Sequence, residues 1–397
     1  VTSRNLRLLE HLDVQGKRVF VRCDFNVPLA NGEITDDMRI RAAVPTLQAL
    51  LQRGASLVVA SHLGRPKGKV VAELGMEPIA KRLAKLLDRE VMRSDDVAGD
   101  SAKELCSSDA EVVLLENLRF EPGEEANDAL LADALAALAE CYVNDAFGAA
   151  HRAHASVVGV PERLPSAAGL LLADEVEKLE RLLHDPEKPF VAVLGGAKVS
   201  DKLGVVENLL QRVDEMCIGG AMAFTLLVAR DKEVGRSLVE RDRVDEVRGV
   251  LERADDQGVT IHLPSDVVAA DSPDESAAYE SVPLDRIGDR LGVDIGPDTI
   301  EAFSRTIAAA RTVLWNGPMG IFEIEQFSHG TKAVAEAVAT ATKNGAYTVA
   351  GGGDSAAALA QLGMTDAVSH LSTGGGASLE LLEGIDLPGV AVLREES

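Results

Sequence analysis

The chain has 397 residues, 46% of them hydrophobic, and 64 Asp plus Glu against 40 Lys plus Arg, a formal charge of −24. At roughly 100–200 residues per domain this length predicts two or three domains, and no apolar run approaches the ~20 residues needed to span a bilayer. The acidic field argues against nucleic-acid and membrane partners, and it would repel an anionic metabolite too, unless a local basic cleft overrode it.

In chain order, Val1-Thr2-Ser3-Arg4-Asn5 shows no basic region running into an apolar stretch, so no secretory leader is expected. Short apolar, β-branched runs then recur and predict strands. In the first half these are Arg18–Phe25, Leu57–Leu63, Val112–Arg119 and Cys141–Ala146. In the second they are Phe190–Gly195, Glu215–Gly219, Val259–Leu263, Thr312–Asn316, Tyr347–Gly351 and Val368–Ser372. Between them, Ala42–Arg53, Met76–Leu87 and Asp128–Ala139 carry apolar residues at three- and four-residue spacing, which predicts helices. Strands alternating with helices imply parallel βαβ units and α/β domains. Ala167–Leu183 reads as one helix, ended by His184-Asp185-Pro186, and makes a connector between two α/β halves. Asp271–Asp285 is polar and acidic and reads as a surface excursion. Cys23, Cys106, Cys141 and Cys217 are widely spaced in or beside apolar segments, which predicts reduced thiols in a cytosolic protein. For the acidity, adaptation to high salt and ordinary cytosolic acidity both stay open.

The first half offers cations at strand ends. Arg22, Asp24 and Asn26 lie in VRCDFNVP, and Asp24 and Asn26, two apart, share a face. Arg39 follows, then His62 and Arg65 in SHLGRP, Arg119 in ENLRF, and His151 and Arg152 in NDAFGAAHRAH. Ligands of open α/β sheets bind beyond the carboxyl ends of the strands, and the guanidinium fork suits phosphate and carboxylate. A single arginine at a strand end is ordinarily a surface group. As a set these residues point to a small polyanion, and no further.

The second half offers glycine loops: LGGAKVSDK from Leu194, IGGAMAFT from Ile218, WNGPMGIFE from Trp315, GGGDS from Gly351 and STGGGASLELLEG from Ser372. Glycine lets backbone N–H groups approach a phosphate, and a following helix N-terminus adds partial positive charge. That dipole contributes only ~0.3–1 kcal/mol, so lysines and a metal are expected to help. Lys198 and Lys202, at i and i+4, would share a helix face. Asp354 is placed to hold Mg²⁺, and Glu323 to accept ribose hydroxyls. Each motif alone also reads as a turn, a helix cap or a surface charge. No GxxxxGK[ST] is present. Gly351-x-Gly353-x-x-Ala356 matches GxGxxA, but the acidic ribose ligand expected about 20 residues on is missing.

Together, these nine stretches resemble the phosphoglycerate kinase family, in order and spacing, from Val21 to Gly384. The resemblance implies two doubly wound parallel-sheet (Rossmann-like) domains joined by a helix around a central cleft. Residues 1–166 would bind 3-phosphoglycerate or 1,3-bisphosphoglycerate, 167–185 form the interdomain helix, 186–378 bind Mg²⁺ with ADP or ATP, and 379–397 return to the N-terminal domain. Carried over by motif, the substrate residues are Arg22, Asp24, Asn26, Arg39, His62, Arg65, Arg119, His151 and Arg152. The nucleotide residues are Gly196, Lys198, Lys202, Gly219, Asn316, Glu323, Gly351, Gly352, Gly353, Asp354, Ser355 and Gly374, with Asp354 at the metal. Arg39, Lys202, Gly352 and Gly375 would stabilise the transferring phosphoryl group. A cytoplasmic monomer is implied. Two other readings compete: an NAD-dependent dehydrogenase, and a non-catalytic metabolite-binding protein of similar fold.

Overall fold

A computed structural model describes residues 6–395, so the leader expectation drawn from Val1–Asn5 lies outside the described residues, as do the last two residues of the returning tail. The chain divides into two compact units, Val1–Glu177 with Asp386–Ser397, and Lys178–Ile385.

In the first unit the apolar runs pair into a six-stranded sheet, parallel throughout. Its order is Met92–Arg93, Val112–Leu114, Ser56–Ala60, Arg18–Arg22, Cys141–Asn144, Ser166–Ala168. These strands are continuous apolar runs because helices bury both sheet faces. On one face Val19, Val21, Leu57 and Val59 pack with Leu47 and Leu50 of helix Met38–Gln52 and with Ile79 and Leu83 of helix Glu77–Leu87. The chain builds outward from Arg18–Arg22 on one side, then returns to its other side at Cys141–Asn144. The switch point lies between those two strands, and Asp24, Asn26 and the Asp145–Arg152 loop issue from their carboxyl ends.

The second unit repeats the principle. Its parallel sheet runs Thr260–His262, Glu215–Ile218, Phe190–Leu194, Thr312–Asn316, Tyr347–Gly351, His370–Leu371. In chain order this is 3-2-1-4-5-6, with the switch point between Phe190–Leu194 and Thr312–Asn316. Val191, Val193 and Trp315 pack there with Phe303 and Ile307 of helix Pro297–Ala309 and Val334 and Val338 of helix His329–Lys343.

The sequence reading needs four adjustments. A three-stranded antiparallel sheet, Tyr279–Pro283, Asp266–Ala270, Leu291–Ile295, was not foreseen. Its acidic turn fits the surface excursion, but the excursion includes a strand. The connector helix starts at Leu170, because Ser166–Ala168 is taken up as an edge strand of the first sheet. The helix near Ala42 begins at Met38. Finally, the chain rejoins the first unit at Asp386 rather than Leu379. Helix Gly376–Leu382 stays with the second unit, where the Asn208 side-chain amide donates to the Leu382 carbonyl at 2.6 Å.

Candidate active site

Within the first unit, residues Asp24, Arg39 and His62 converge at the switch point. Strand Arg18–Arg22 delivers Asp24, and the first turn of helix Met38–Gln52 delivers Arg39. Arg39 donates to Asp24 Oδ2 at 2.5 Å, and His62 Nε2 stands 4.0 Å from Asp24 Oδ1. The loop Phe147–Ala149 closes on this pair, and a Cβ on Gly148 would sit 2.5 Å from Asp24 Oδ2. Asn26 Oδ1 accepts from the Gly64 N–H at 2.9 Å, and Arg119 Nη1 donates to the Gly64 carbonyl at 2.7 Å, so both steady the loop carrying Arg65. Burial and a contribution from Arg22 draw the Arg119 pKa down, against the pull of Glu125 at 3.2 Å.

Arg22 behaves differently from the other arginines. It is wholly buried, bonded to Ser156, to the Cys23 carbonyl and to His62, and it offers no donor to a ligand at the surface. His62 is buried too. Burial, then the charges of Arg22, Arg119 and Arg39, hold its pKa well below the ordinary value and keep the ring neutral. Arg65 and Arg152 are exposed and make no ion pair or side-chain hydrogen bond among the described residues, while His151, next to Arg152 in sequence, is half-buried.

The second unit's site is made mainly of backbone. Loops after three parallel strands lock together: the Gly195 N–H donates to the Asn316 carbonyl, Gly196 to Pro318, Gly220 to Met319 and Met222 to Gly196, all at 3.0 Å. Side chains other than hydrogen would break this packing. A Cβ on Gly195 would strike the Pro318 carbonyl, and one on Gly219 the Met319 sulfur at 2.6 Å. Gly317 has φ +98°, and its Cβ would collide with Lys202 Nζ.

Lys198 and Lys202 do not share a helix face, because the helix begins only at Leu203. Lys198 is exposed. Lys202 folds back under the loops, and its ammonium donates to the Gly195 carbonyl at 2.5 Å and the Asn316 carbonyl at 2.9 Å. It thus clamps the two strand ends that flank the switch point. Burial lowers its pKa to about 8, against the pull of Asp354 and Asp201. An ammonium has three donors, so one remains for a ligand.

Asn316 Nδ2 donates to the Gly351 carbonyl at 3.0 Å, and the Gly317 N–H donates to Ser355 Oγ at 2.7 Å. Asn316 and the buried Ser355 therefore tie neighbouring loops together. Gly352, at φ +88°, caps helix Gly353–Gln361 and leaves Asp354 exposed in its first turn, without a side-chain partner among the described residues. Beyond strand His370–Leu371, Gly374 donates to Ser372 Oγ, and Gly375, at φ +55°, precedes helix Gly376–Leu382.

A cleft of about 420 Å³ opens beside these loops, with Gly196, Gly220, Glu323 and Asp354 on its wall. Its apolar side consists of Phe224, Leu238, Leu291, Val293 and Met319. Sequence reasoning missed these five. Leu291 and Val293 come from the unforeseen antiparallel sheet, and the β-branched runs Val267–Val268 and Val293–Ile295 flanking the acidic turn were the available signal. Leu238 is 54% exposed at the rim of this cleft. The GxGxxA match follows the fifth parallel strand rather than the first, where a dinucleotide fingerprint belongs, so the dehydrogenase reading loses its support.

A family model described as phosphoglycerate kinase matches residues 9–385. The chain is 55% identical over 395 residues to the phosphoglycerate kinase of Thermomicrobium roseum, covering 99% of this chain and 100% of that one. It is 54% identical to that of Rubrobacter xylanophilus, with 98% of each chain covered. The structure of phosphoglycerate kinase from Coxiella burnetii superposes with a TM-score of 0.89 at 41% identity, covering 98% of both chains. Matched along nearly its whole length by sequence and by fold, the chain belongs to the phosphoglycerate kinase family.

Proposed function

We propose that the protein transfers a phosphoryl group reversibly from 1,3-bisphosphoglycerate to ADP, giving 3-phosphoglycerate and ATP. One observation carries this reading: in a chain of net charge −24, Arg65 and Arg152 stand exposed in the loops beyond strands Ser56–Ala60 and Cys141–Asn144, with no ion-pair partner among the described residues. Guanidiniums left unpaired beside these strand ends suit an anionic ligand. Arg39, Arg65, Arg119, Arg152, His151, His62 and Asn26 would grip the phosphate and carboxylate of the glycerate, and Asp24 would take its hydroxyl or orient Arg39. The second unit would hold the nucleotide, with the base against Leu238, Leu291 and Val293, the ribose at Glu323, and the phosphates over Gly196, Lys198, Gly352, Gly353 and Gly374.

The chemistry asks little covalent help from the protein. An acyl phosphate already has a good leaving group, and ADP brings an anionic nucleophile, so no general base is needed. The work lies in alignment and charge neutralisation. Arg39, Lys202 and the amides at Gly352 and Gly375 would supply it. Asp354 fits a Mg²⁺ role, since this ion takes one or two carboxylates and completes its shell with substrate phosphates and water. Among the described residues no group of three or more His, Cys, Asp or Glu forms an all-protein cage. The ion would add charge neutralisation at the phosphates. In-line transfer also requires the two half-sites to meet during turnover and exclude water.

An assay for 1,3-bisphosphoglycerate formation from 3-phosphoglycerate and ATP tests the proposal. Product is expected with Mg²⁺ and not without it; no product in either arm would refute it.

We place the enzyme in the cytoplasm as a monomer. Its four cysteines are free, and no helix is long and apolar enough to cross a membrane among the described residues. We read the acidic surface as a salt adaptation, since screening within ~3 Å at 1 M salt would relieve its self-repulsion. Unfolding midpoints should then rise with KCl, and a steady fall would dispose of the idea.

A further inference from the structure

Behind the proposed phosphoglycerate site lies a buried polar network that reaches no ligand. Its root is Glu124, fully buried in the short helix Pro122–Glu125. Glu124 Oε2 accepts the Ser156 N–H at 2.9 Å, and Oε1 accepts the Ser156 hydroxyl at 2.5 Å. The same hydroxyl oxygen accepts from Arg22 Nε at 2.8 Å, and the Ser156 carbonyl is pinned by the Tyr142 hydroxyl at 2.8 Å. Arg22 Nη2 stands 4.0 Å from Glu124 Oε1. A buried guanidinium needs a counter-charge, and Glu124 is the carboxylate that ion-pairs with Arg22 among the described residues.

The network ends on His62. Arg22 Nη2 lies 3.2 Å from His62 Nδ1. A guanidinium can only donate, so Nδ1 must accept, and the proton of this neutral ring sits on Nε2. That nitrogen faces Asp24, 4.0 Å away, on the ligand side. Without the Arg22 donor, either nitrogen could carry the proton, and a fraction of the rings would present a lone pair toward an anionic ligand.

We propose that Glu124 is a positioning residue for the phosphoglycerate site: by charge and through Ser156 it holds Arg22 in the pose that fixes the His62 proton on Nε2. This rests on the reading of His62 as a substrate group. Glu124 touches no substrate itself, and its effect passes through two side chains.

The test uses the full chain with ¹⁵N-labelled histidine, reading the His62 ring by long-range ¹H–¹⁵N correlation, with assignment by H62Q. Wild type should show Nε2 protonated and Nδ1 bare. E124Q should mix the two tautomers and raise the KM for 3-phosphoglycerate about tenfold, the low end of what losing the outer hydrogen-bond partner of a metal-bound histidine costs, while the KM for ATP stays put. E124D, which restores the charge, should recover the single tautomer. If E124Q does not fold, S156A carries the test, since it keeps the charge and removes the relay; partial mixing is then expected. A ring that stays wholly Nε2-protonated in the folded variant overturns the proposal directly. A tautomer shift with unchanged KM for 3-phosphoglycerate overturns it through the substrate reading beneath it.

Discussion

The two units solve the same problem with different materials. The first builds its anion site from long charged side chains, some held by a partner (Arg39 by Asp24, Arg119 by Glu125 and the Gly64 carbonyl), others such as Arg65 and Arg152 exposed, with Arg22 sealed behind them on Ser156 and Glu124. The second builds its site from glycine loops whose amides and carbonyls clasp one another, with Lys202 bonded beneath them. A side-chain site tolerates backbone adjustment but fails when a charge is lost. A backbone site has few charges to lose but fails when a single Cβ intrudes.

The largest expected effect breaks the first site by charge alone. Arg39→Ala should lower kcat about 10²-fold or more, the scale for removing one group that stabilises transition-state charge. Both KM values should move less, because Asp24, Arg65 and Arg119 remain. Steady-state kinetics at saturating Mg²⁺ checks this, and near-native kcat would remove Arg39 from the reaction.

Breaking the second site needs no charge change. Gly317→Ala places a Cβ at φ +98° against Lys202 Nζ and the Gly195 carbonyl. Strain of ~1–3 kcal/mol for such a backbone should raise the KM for ATP roughly tenfold and lower the Tm as well. Gly353→Ala is the control that sharpens the contrast, since its Cβ meets nothing within 4 Å and its φ is ordinary. It should leave Tm near wild type and affect only nucleotide affinity, by crowding the phosphates. Equal Tm losses in the two variants would show that loop packing is not what the glycines serve.

The same contrast explains what was legible in the sequence. Strands could be read because both parallel sheets are buried on both faces, so Thr312–Asn316 and Tyr347–Gly351 appear as short runs rich in apolar and β-branched residues. Most other runs extend a few residues past the strand, as at Arg18–Phe25, where pairing stops at Arg22 and the tail turns into the site. The site residues were legible as motifs, because charged and glycine residues at strand ends stand out locally. Their roles were not. That Arg22 is sealed inside, or that Lys202 folds under its loops instead of lining a helix with Lys198, depends on contacts with Ser156 and Asn316, more than a hundred residues away. The apolar wall of the nucleotide cleft was invisible for a related reason: Phe224, Leu291 and Met319 look like ordinary core until the fold brings them to one opening.

The units agree at one place, where the expected effect falls on stability and leaves the chemistry alone. Each buries a carboxylate that no cation neutralises among the described residues and that backbone N–H groups help hold. Asp145 Oδ1 accepts from Leu171, at the start of the connector helix, at 3.0 Å, and Asp294 Oδ2 accepts from Gly330, in the first turn of helix His329–Lys343, at 2.8 Å. Burial pushes both pKa values up to about 7 from 3.8, against the smaller opposing effects of the Thr46 side chain and backbone N–H groups at Asp145 and of backbone N–H groups at Asp294. A raised folded-state value means the native protein binds protons more tightly than the unfolded chain. The resulting stability is fully present below about pH 4 and is lost as pH rises through about 7. Asparagine keeps an acceptor for the same N–H groups but carries no proton to lose. The D145N and D294N variants should therefore gain on wild type as pH climbs from 5 to 8, and the gap should level off above that. Urea midpoints across this range measure the gap directly; one that stays constant, or closes as pH rises, would mean the two carboxylates are ionised throughout and the helix starts beside them supply more charge compensation than their burial removes.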